Sequence, residues 1–173
     1  MSRSLLFSPI ALIAAAALAT SVLLGAGQAP PSAAAPLPAS AGGAVDTVVT
    51  IRAMGSALEY ETTDIELEAG TTVTIRLDNS ASSMPHNVVL LTAHDQIRTV
   101  GIAALRAQQT EYVPAGETDK IIAHTALASP GTVVEMTFEV PPPGEYPYIC
   151  TYPGHFQTMR GTLTSVERSS PTP

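Results

Sequence analysis

From residue 47 onwards the chain consists of short apolar and β-branched segments separated by turns, and this pattern predicts an all-β domain. The segments 64–68 (DIELE) and 71–77 (TTVTIRL) alternate between apolar and polar residues, as strands do when one face is buried. The other predicted strands are 47–52, 87–91, 120–123, 132–140, 145–149 and 161–166. About eight short strands at such intervals favour a β-sandwich or a Greek-key barrel.

Residues 95–109 (DQIRTVGIAALRAQQ) depart from the strand pattern. Their apolar residues recur at nearly helical spacing, and Asp95 stands where a helix N-cap is expected. We therefore predict one helical excursion between two strands. The run Pro-Pro-Pro-Gly at 141–144 predicts a turn, because proline cannot donate a hydrogen bond within a central strand.

The N-terminal part of the chain has the pattern of an export segment. Arg3 is the only basic residue before Arg52, and it precedes an apolar run over residues 5–24. This run is about as long as a bilayer span, so residues 1–29 are either a cleaved signal peptide or a retained membrane anchor. Both alternatives predict an exported protein, located in the periplasm or tethered by residues 5–24 to the extracytoplasmic membrane surface.

The remaining boundaries follow from composition. Residues 30–45 are almost entirely Ala, Pro, Ser and Gly, which cannot bury enough apolar surface to fold, so they predict a disordered linker. Residues 46–167 form the predicted β domain, and residues 168–173 a disordered tail. Beyond residue 44 the chain has all fifteen acidic residues but seven of the eight basic ones. This acidic balance argues against a nucleic-acid partner, which requires clustered Lys and Arg.

The chain has one cysteine, Cys150, in the stretch YICTYPGHFQTMRG. A lone cysteine cannot form an internal disulfide, so it is either an inert buried thiol or a metal ligand. His155 and Met159 follow it with the spacing Cys-x4-His-x3-Met on one loop between two predicted strands. Thiolate, imidazole and thioether together select copper over magnesium or calcium, which prefer oxygen ligands.

A trigonal copper site also needs a second histidine, which this loop does not contain. The candidates are His86, His94 and His124. His86 follows Pro85 at the entrance of the apolar strand 87–91 and is the best placed of the three. His94 lies in a polar turn and His124 ends a strand, so both are interpreted as structural residues.

The segments MPHNVVL (84–90) and YICTYPGHFQTMRGTLT (148–164) resemble the two copper-binding segments of the cupredoxins, most closely those of azurins and auracyanins. The resemblance covers about residues 46–167. It implies the cupredoxin Greek-key fold and a type 1 (blue) site for one copper ion. The implied ligands are His86, Cys150 and His155 in the trigonal plane and Met159 in the weak axial position.

The resemblance also implies roles for three neighbours of the ligands. Pro85 stands where azurins have a glycine whose carbonyl lies near the metal. Asn87 and Thr151 fall where the family joins the two ligand segments through hydrogen bonds, which fix the site geometry and tune the reduction potential.

A cupredoxin of this type is implied to carry single electrons between redox partner proteins and not to be an enzyme. His155 is the expected exit edge for the electron, and a rim of Met84, Pro153 and Phe156 is the expected surface for weak, transient docking. Two alternatives remain. One is a periplasmic copper carrier without a redox role. The other is a copper enzyme, which would need further copper sites that four histidines in one domain do not supply.

Overall fold

The computed structural model describes residues 47–169 of the 173-residue chain. The predicted signal or anchor (1–29), its apolar helix and the linker (30–45) lie outside the described residues, as does the end of the predicted tail. Across residues 47–169, no helix is both long enough and apolar enough to span a membrane.

The described part of the chain is mostly β, with one α-helix, which confirms the predicted fold class. Every predicted strand is present, with ends that differ by at most two residues from the prediction. The strands are β1 (Thr47–Arg52), β2 (Asp64–Glu68), β3 (Thr72–Asp78), β4 (Val89–Leu91), β5 (Ile121–His124), β6 (Val133–Glu139), β7 (Gly144–Ile149) and β8 (Arg160–Val166). The helix α1 spans Gln96–Ala104, and short 3-10 turns span Gln108–Thr110, Ala115–Lys120 and His155–Gln157.

The strands form two sheets. The first has the order β1-β3-β6, and the second has the order β2-β8-β7-β4-β5. The pairs β1/β3 and β2/β8 are parallel, whereas the other pairs are antiparallel. Inward residues of both sheets form one apolar core, which includes Ile51, Ile75 and Met136 from the first sheet and Leu90 and Leu163 from the second.

Strand β4 is buried on both faces, which explains why its segment is a continuous apolar run and does not alternate. Leu90 points into the core between the sheets. Val89 and Leu91 point the opposite way, into a second apolar cluster with Val100 of α1 and Phe156. The helix α1 therefore covers the outer face of the second sheet, beside the strands that lead to the predicted copper ligands.

The helix is shorter than the predicted segment 95–109 and is not capped as expected. Asp95 occupies the N-cap position, but its carboxylate makes no cap hydrogen bond and accepts one from Nε2 of Gln96 at 3.0 Å instead. After Ala104 the chain turns, and Glu111 and Tyr112 adopt positive φ values of 53° and 65°. Non-glycine residues seldom adopt such values, so this bend holds local strain.

Two residues of the predicted tail make defined contacts. The Arg168 guanidinium donates a hydrogen bond to the carbonyl of Gly70 at 2.7 Å, and the Ser169 hydroxyl donates one to the Glu68 carboxylate. These contacts lie at the turn between β2 and β3, so this part of the chain continues along the domain after β8 ends.

Candidate metal centre

The topology brings His86 and Cys150 to the same end of the second sheet. Cys150 directly follows β7, and His86 precedes β4. These two strands are antiparallel neighbours, with Val89 opposite Ile149. The start of one strand therefore lies beside the end of the other, and residues 64 positions apart in sequence come into contact.

Three potential donor atoms converge at this place. Cys150 Sγ lies 3.7 Å from Nδ1 of His86 and 3.6 Å from Nδ1 of His155, and the two Nδ1 atoms are 3.2 Å apart. All three side chains are buried. A point equidistant from atoms with these separations lies about 2 Å from each, which is the length of a metal–nitrogen bond in proteins.

Met159 completes the set of predicted ligands and is fully buried. Its backbone carbonyl accepts a hydrogen bond from the Cys150 N–H at 2.9 Å, and its N–H donates to the carbonyl of His155 at 2.8 Å. Gly154, with φ of 86°, permits the turn into the short 3-10 segment that begins at His155. These hydrogen bonds within the loop bring the three residues of the Cys-x4-His-x3-Met motif close together.

His86 is held by residues that are distant in sequence. It pairs with Ala128 through two backbone hydrogen bonds of 3.1 and 2.8 Å. The side-chain amide of Asn79 donates to the carbonyls of Met84, Ala128 and Ser129 at 2.9 to 3.1 Å. These contacts fix the segment before β4 against the chain that follows β5.

Ser82 orients the ring of His86, a role that the sequence analysis missed. Its Oγ lies 3.0 Å from Nε2 of His86. The same hydroxyl donates to the carbonyl of Met84 at 3.3 Å and accepts from its N–H at 3.1 Å. A metal held by Nδ1 requires the ring proton on Nε2, and Ser82 Oγ is placed to accept that proton.

Asn87 joins the two ligand segments, as the resemblance implied. Its Oδ1 accepts the N–H of Thr151 at 2.9 Å, and its Nδ2 donates to the Thr151 hydroxyl at 2.8 Å. The backbone carbonyl of Asn87 also accepts the phenol proton of Tyr60 at 2.5 Å. Tyr60 is 3% exposed and was not singled out in the sequence, where a tyrosine before a polar turn gives no signal of such a contact.

Burial controls the ionisation of the donor groups. It raises the pKa of the Cys150 thiol to about 11, although hydrogen bonds from the Asn87 and Tyr152 backbone act in the opposite direction. Burial, together with the nearby His155, lowers the pKa of His86 to about 4, and burial also lowers that of His155. At neutral pH without a metal, both imidazoles are therefore neutral and the thiol is protonated, and a metal must displace that single proton.

The chemistry of this donor set fits a single type 1 copper site. One thiolate and two neutral imidazoles in a buried triangle, with a methionine beside them, are the donors that such a site uses. No carboxylate belongs to the cluster, which argues against calcium or magnesium. The other two histidines lie on the surface, and His124 contacts the carbonyl of Thr125 through Nδ1 at 3.1 Å.

The residues of the predicted docking rim differ in their exposure to solvent. Pro153 is exposed, and Met84 and Pro85 are half-buried. Phe156, however, is only 9% exposed and belongs to the apolar cluster under α1. Phe156 therefore adds little exposed surface to the predicted rim. The neighbouring helix has a glycine, Gly101, at the contact, and the phenylalanine ring fills the space that a side chain would take.

His155 is also less exposed than expected, at 2%. The ring of Tyr152 lies 4.9 Å from that of His155, centroid to centroid, and Tyr112 packs edge-on against Tyr152 at 5.2 Å. The strained bend at Glu111 and Tyr112 thus places an aromatic pair, itself half-buried, over the imidazole.

Comparison with known proteins agrees with this geometry. The family model for copper-binding proteins of the plastocyanin/azurin family matches residues 47–166. Auracyanin-A of Chloroflexus aurantiacus is 36% identical over 125 residues, covering 70% of this chain and 75% of that protein. An azurin of Achromobacter denitrificans is 43% identical over 86 residues, covering 47% of this chain and 56% of that protein. The solved structure of auracyanin A, described as a "blue" copper protein, covers 70% of this chain and 99% of its own at 35% identity, with a TM-score of 0.67.

Proposed function

The chain belongs to the plastocyanin/azurin family of copper-binding proteins, and we propose that it carries single electrons between redox partner proteins outside the cytoplasm. The observation that supports this proposal is the buried triangle of Cys150 Sγ and the Nδ1 atoms of His86 and His155. When bound there, copper supplies a one-electron Cu(I)/Cu(II) couple.

In the proposed site, Cys150, His86 and His155 would hold the copper as strong donors, and the thioether of Met159 would be a weaker fourth donor. The residues around them would hold this arrangement in place in both oxidation states. Asn87 ties the segments together through Thr151. A protein that holds its ligands rigidly needs little rearrangement when the electron arrives or leaves, because the environment is already organised.

The burial of the cluster favours electron transfer without binding of a substrate to the metal over an enzymatic reaction. All three donor residues are at most 2% exposed, so they offer little surface to which a substrate could bind. Within residues 47–169, this is the single group of three or more potential metal-binding side chains. A copper enzyme of the kind considered above would need additional centres.

The proposed location outside the cytoplasm rests on the sequence of the N-terminal segment. Arg3 followed by the apolar run 5–24 supports export, as a cleaved signal or as an anchor with the linker 30–45 as its tether. Under this proposal, the exposed Pro153 and the half-buried Met84 next to the site would contact the partner proteins weakly and transiently.

Spectra of the copper-loaded protein test the proposal directly. We expect the Cu(II) form to be intensely blue, with the narrow EPR hyperfine splitting of a thiolate site, and to cycle reversibly at an electrode. Cys150→Ser should abolish the colour, whereas Met159→Leu should retain it with a changed potential. A colourless wild-type Cu(II) form would favour the copper carrier instead, and an unchanged spectrum in Cys150→Ser would refute the ligand assignment.

A further inference from the structure

An open groove of about 550 Å³ lies between α1 and the loop that contains His155. We name it the arginine groove. It is lined by eight residues, of which Ile97, Ile102, Leu105 and Phe156 are apolar and Arg98 and Arg160 are basic. Gly154 and Gln157, on either side of the ligand His155, complete the wall of the groove. Anything that binds in the groove therefore contacts the ligand loop itself.

The apolar part of the groove is not covered by the rest of the domain. Ile102 and Leu105 are 46% and 50% exposed, and they are two of the five large apolar side chains with this degree of exposure in residues 47–169. Both belong to the same groove, so their exposed surfaces are contiguous. Clustered exposed apolar side chains beside a functional centre are typical of a surface that another protein covers.

The charge of the groove is opposite to that of the domain. Residues 47–169 contain fourteen of the fifteen acidic residues but only seven of the eight basic ones. None of the eight lining residues is acidic. The domain as a whole repels acidic molecules, whereas the groove presents two arginines to them.

The arginines of the groove also differ from most other basic residues in their pairing. Arg52, Arg76 and Lys120 each form ion pairs with carboxylates. By contrast, Arg98 and Arg160 make no ion pair with any residue of the described part of the chain. Within this part of the chain, neither guanidinium is therefore neutralised by a direct ion pair.

We propose that the arginine groove is the docking surface for an acidic redox protein that presents an apolar side chain flanked by carboxylates. This inference rests on the proposed electron-carrier function. The apolar side chain would contact Ile102 and Leu105, and the carboxylates would pair with Arg98 and Arg160. In the docked pair, a reduced copper centre would lose one electron and the oxidised partner would gain it, with no proton transferred and no bond formed or broken.

The salt dependence of electron transfer tests the charge of this surface. The rate constant for oxidation of the copper-loaded, reduced full chain is measured by stopped flow with hexacyanoferrate(III), an anion, and with tris(phenanthroline)cobalt(III), a cation. If the positive charge of the groove controls the approach of the oxidant, the rate constant with the anion falls by about fivefold or more as salt increases from 10 to 200 mM. If the net negative charge of the whole domain controls the approach of the oxidant, the rate constant with the anion rises with salt, and the inference is wrong.

Charge variants localise the effect. Arg98→Gln and Arg160→Gln should each lower the low-salt rate with the anion about two- to threefold. Arg76→Gln changes the net charge by the same amount, but this residue lies on β3 in the first sheet and is not part of the groove, so it should change the rate much less. Equal effects of all three substitutions would show that only net charge matters and would overturn the inference.

Binding to a protein tests the apolar part separately and does not require copper. The copper-free protein is titrated with an acidic and with a basic cytochrome c while its amide NMR signals are recorded. We expect shifts at residues 97–105 and 154–160 with the acidic cytochrome only. Ile102→Ser with Leu105→Ser should weaken this binding about tenfold. Binding of the basic cytochrome at these residues would contradict the inference.

The outcomes also separate this inference from the proposed function. If the protein cycles with both small oxidants but the groove variants have no effect, the docking surface is wrong and the electron-carrier proposal stands. If the protein does not cycle with either oxidant, the electron-carrier proposal fails first. Arginine-dependent binding to vesicles of anionic phospholipid, without binding to the acidic cytochrome, would assign the groove to a membrane surface and refute a protein partner.

Discussion

The two segments that supply the ligands are held in place in different ways. The loop 150–159 is fixed mainly by hydrogen bonds within itself, such as those joining Met159 to Cys150 and to His155. His86 is fixed from outside, by Ala128 through the backbone and by Ser82 through its ring. The loop therefore has a geometry determined by its own residues, whereas the position of His86 depends on the tertiary structure.

This difference makes Asn87 the critical connection in the site. It lies next to His86 but bonds to Thr151 in the other segment, 64 residues away. The pairing of β4 with β7 brings the two segments side by side, and the side chain of Asn87 then joins them by hydrogen bonds at the site itself. The three experiments below test this comparison, beginning with the largest expected effect.

Replacing the connection itself should have the largest effect. Asn87→Ala leaves the buried N–H and hydroxyl of Thr151 without their partner, so we expect the free energy of unfolding to fall by about 3–4 kcal/mol. The blue spectrum should also change, because the ligand segments can shift apart. Thr74→Val is a suitable control, since it removes the exposed cross-strand Thr74–Thr137 hydrogen bond. Urea denaturation that gives both variants similar stabilities would contradict a special role for Asn87.

Acidification should weaken the copper-free domain through its histidines. The pKa of His86 is about 4 in the folded protein, against an ordinary value of 6.5, so the unfolded chain binds more protons between these pH values. The free energy of unfolding should therefore decrease as pH falls from 6.5 to 4, by about 3 kcal/mol from this residue. Burial lowers the pKa of His155 and acts in the same direction.

Urea denaturation of the copper-free protein at several pH values in this range measures this effect. His86→Gln should make the pH dependence shallower, whereas Thr74→Val, which changes no titratable group, should leave it unchanged. An equal slope in the wild type and in His86→Gln would show that the burial of His86 does not control acid stability.

Removing the hydrogen bond between Ser82 and the His86 ring should have the smallest effect on stability. It should, however, change the spectroscopic properties of the copper site. Ser82→Ala should lower the free energy of unfolding by about 1 kcal/mol and alter the EPR spectrum and the potential, because the ring loses its hydrogen-bond acceptor. Ser165→Ala is a matched control, since Ser165 is also a buried serine, and its hydroxyl donates to the carbonyl of Pro141 at 2.7 Å.

The serine control should lose similar stability with no change in the copper spectrum, and Ser82→Thr should restore the wild-type spectrum. Spectra that change equally in Ser82→Ala and Ser165→Ala would show that Ser82 acts only through general stability.

The same contrast between local and long-range contacts determines what could be predicted from the sequence. The bounds of β1 and β2 were predicted correctly because alternation is a local property. The motif on the loop 150–159 was visible for the same reason. His86 has no local motif. It could be identified only because it precedes an apolar strand and because a copper site needs a second imidazole, and its role as a ligand stays a prediction.

The residues that were not identified from the sequence act through long-range contacts. Ser82 and Tyr60 have no motif, and their roles arise only when the chain places them against His86 and Asn87. The burial of Phe156 could not be predicted from its own segment, because its packing partner is Gly101, more than fifty residues earlier. The groove that contains this contact is equally invisible in the sequence.

The parallel pairing of β2 with β8 has a consequence for how the domain folds. The second strand of the domain pairs with the last one, so the second sheet cannot be completed until nearly the whole chain is present. Folding dominated by such distant pairings is slow compared with that of helical domains of the same size. During synthesis, His86 emerges long before Cys150 and His155, so no chain that ends before residue 155 contains all three donors of the triangle. We therefore expect the copper site to form only after β4 has paired with β7, late in the synthesis of the domain.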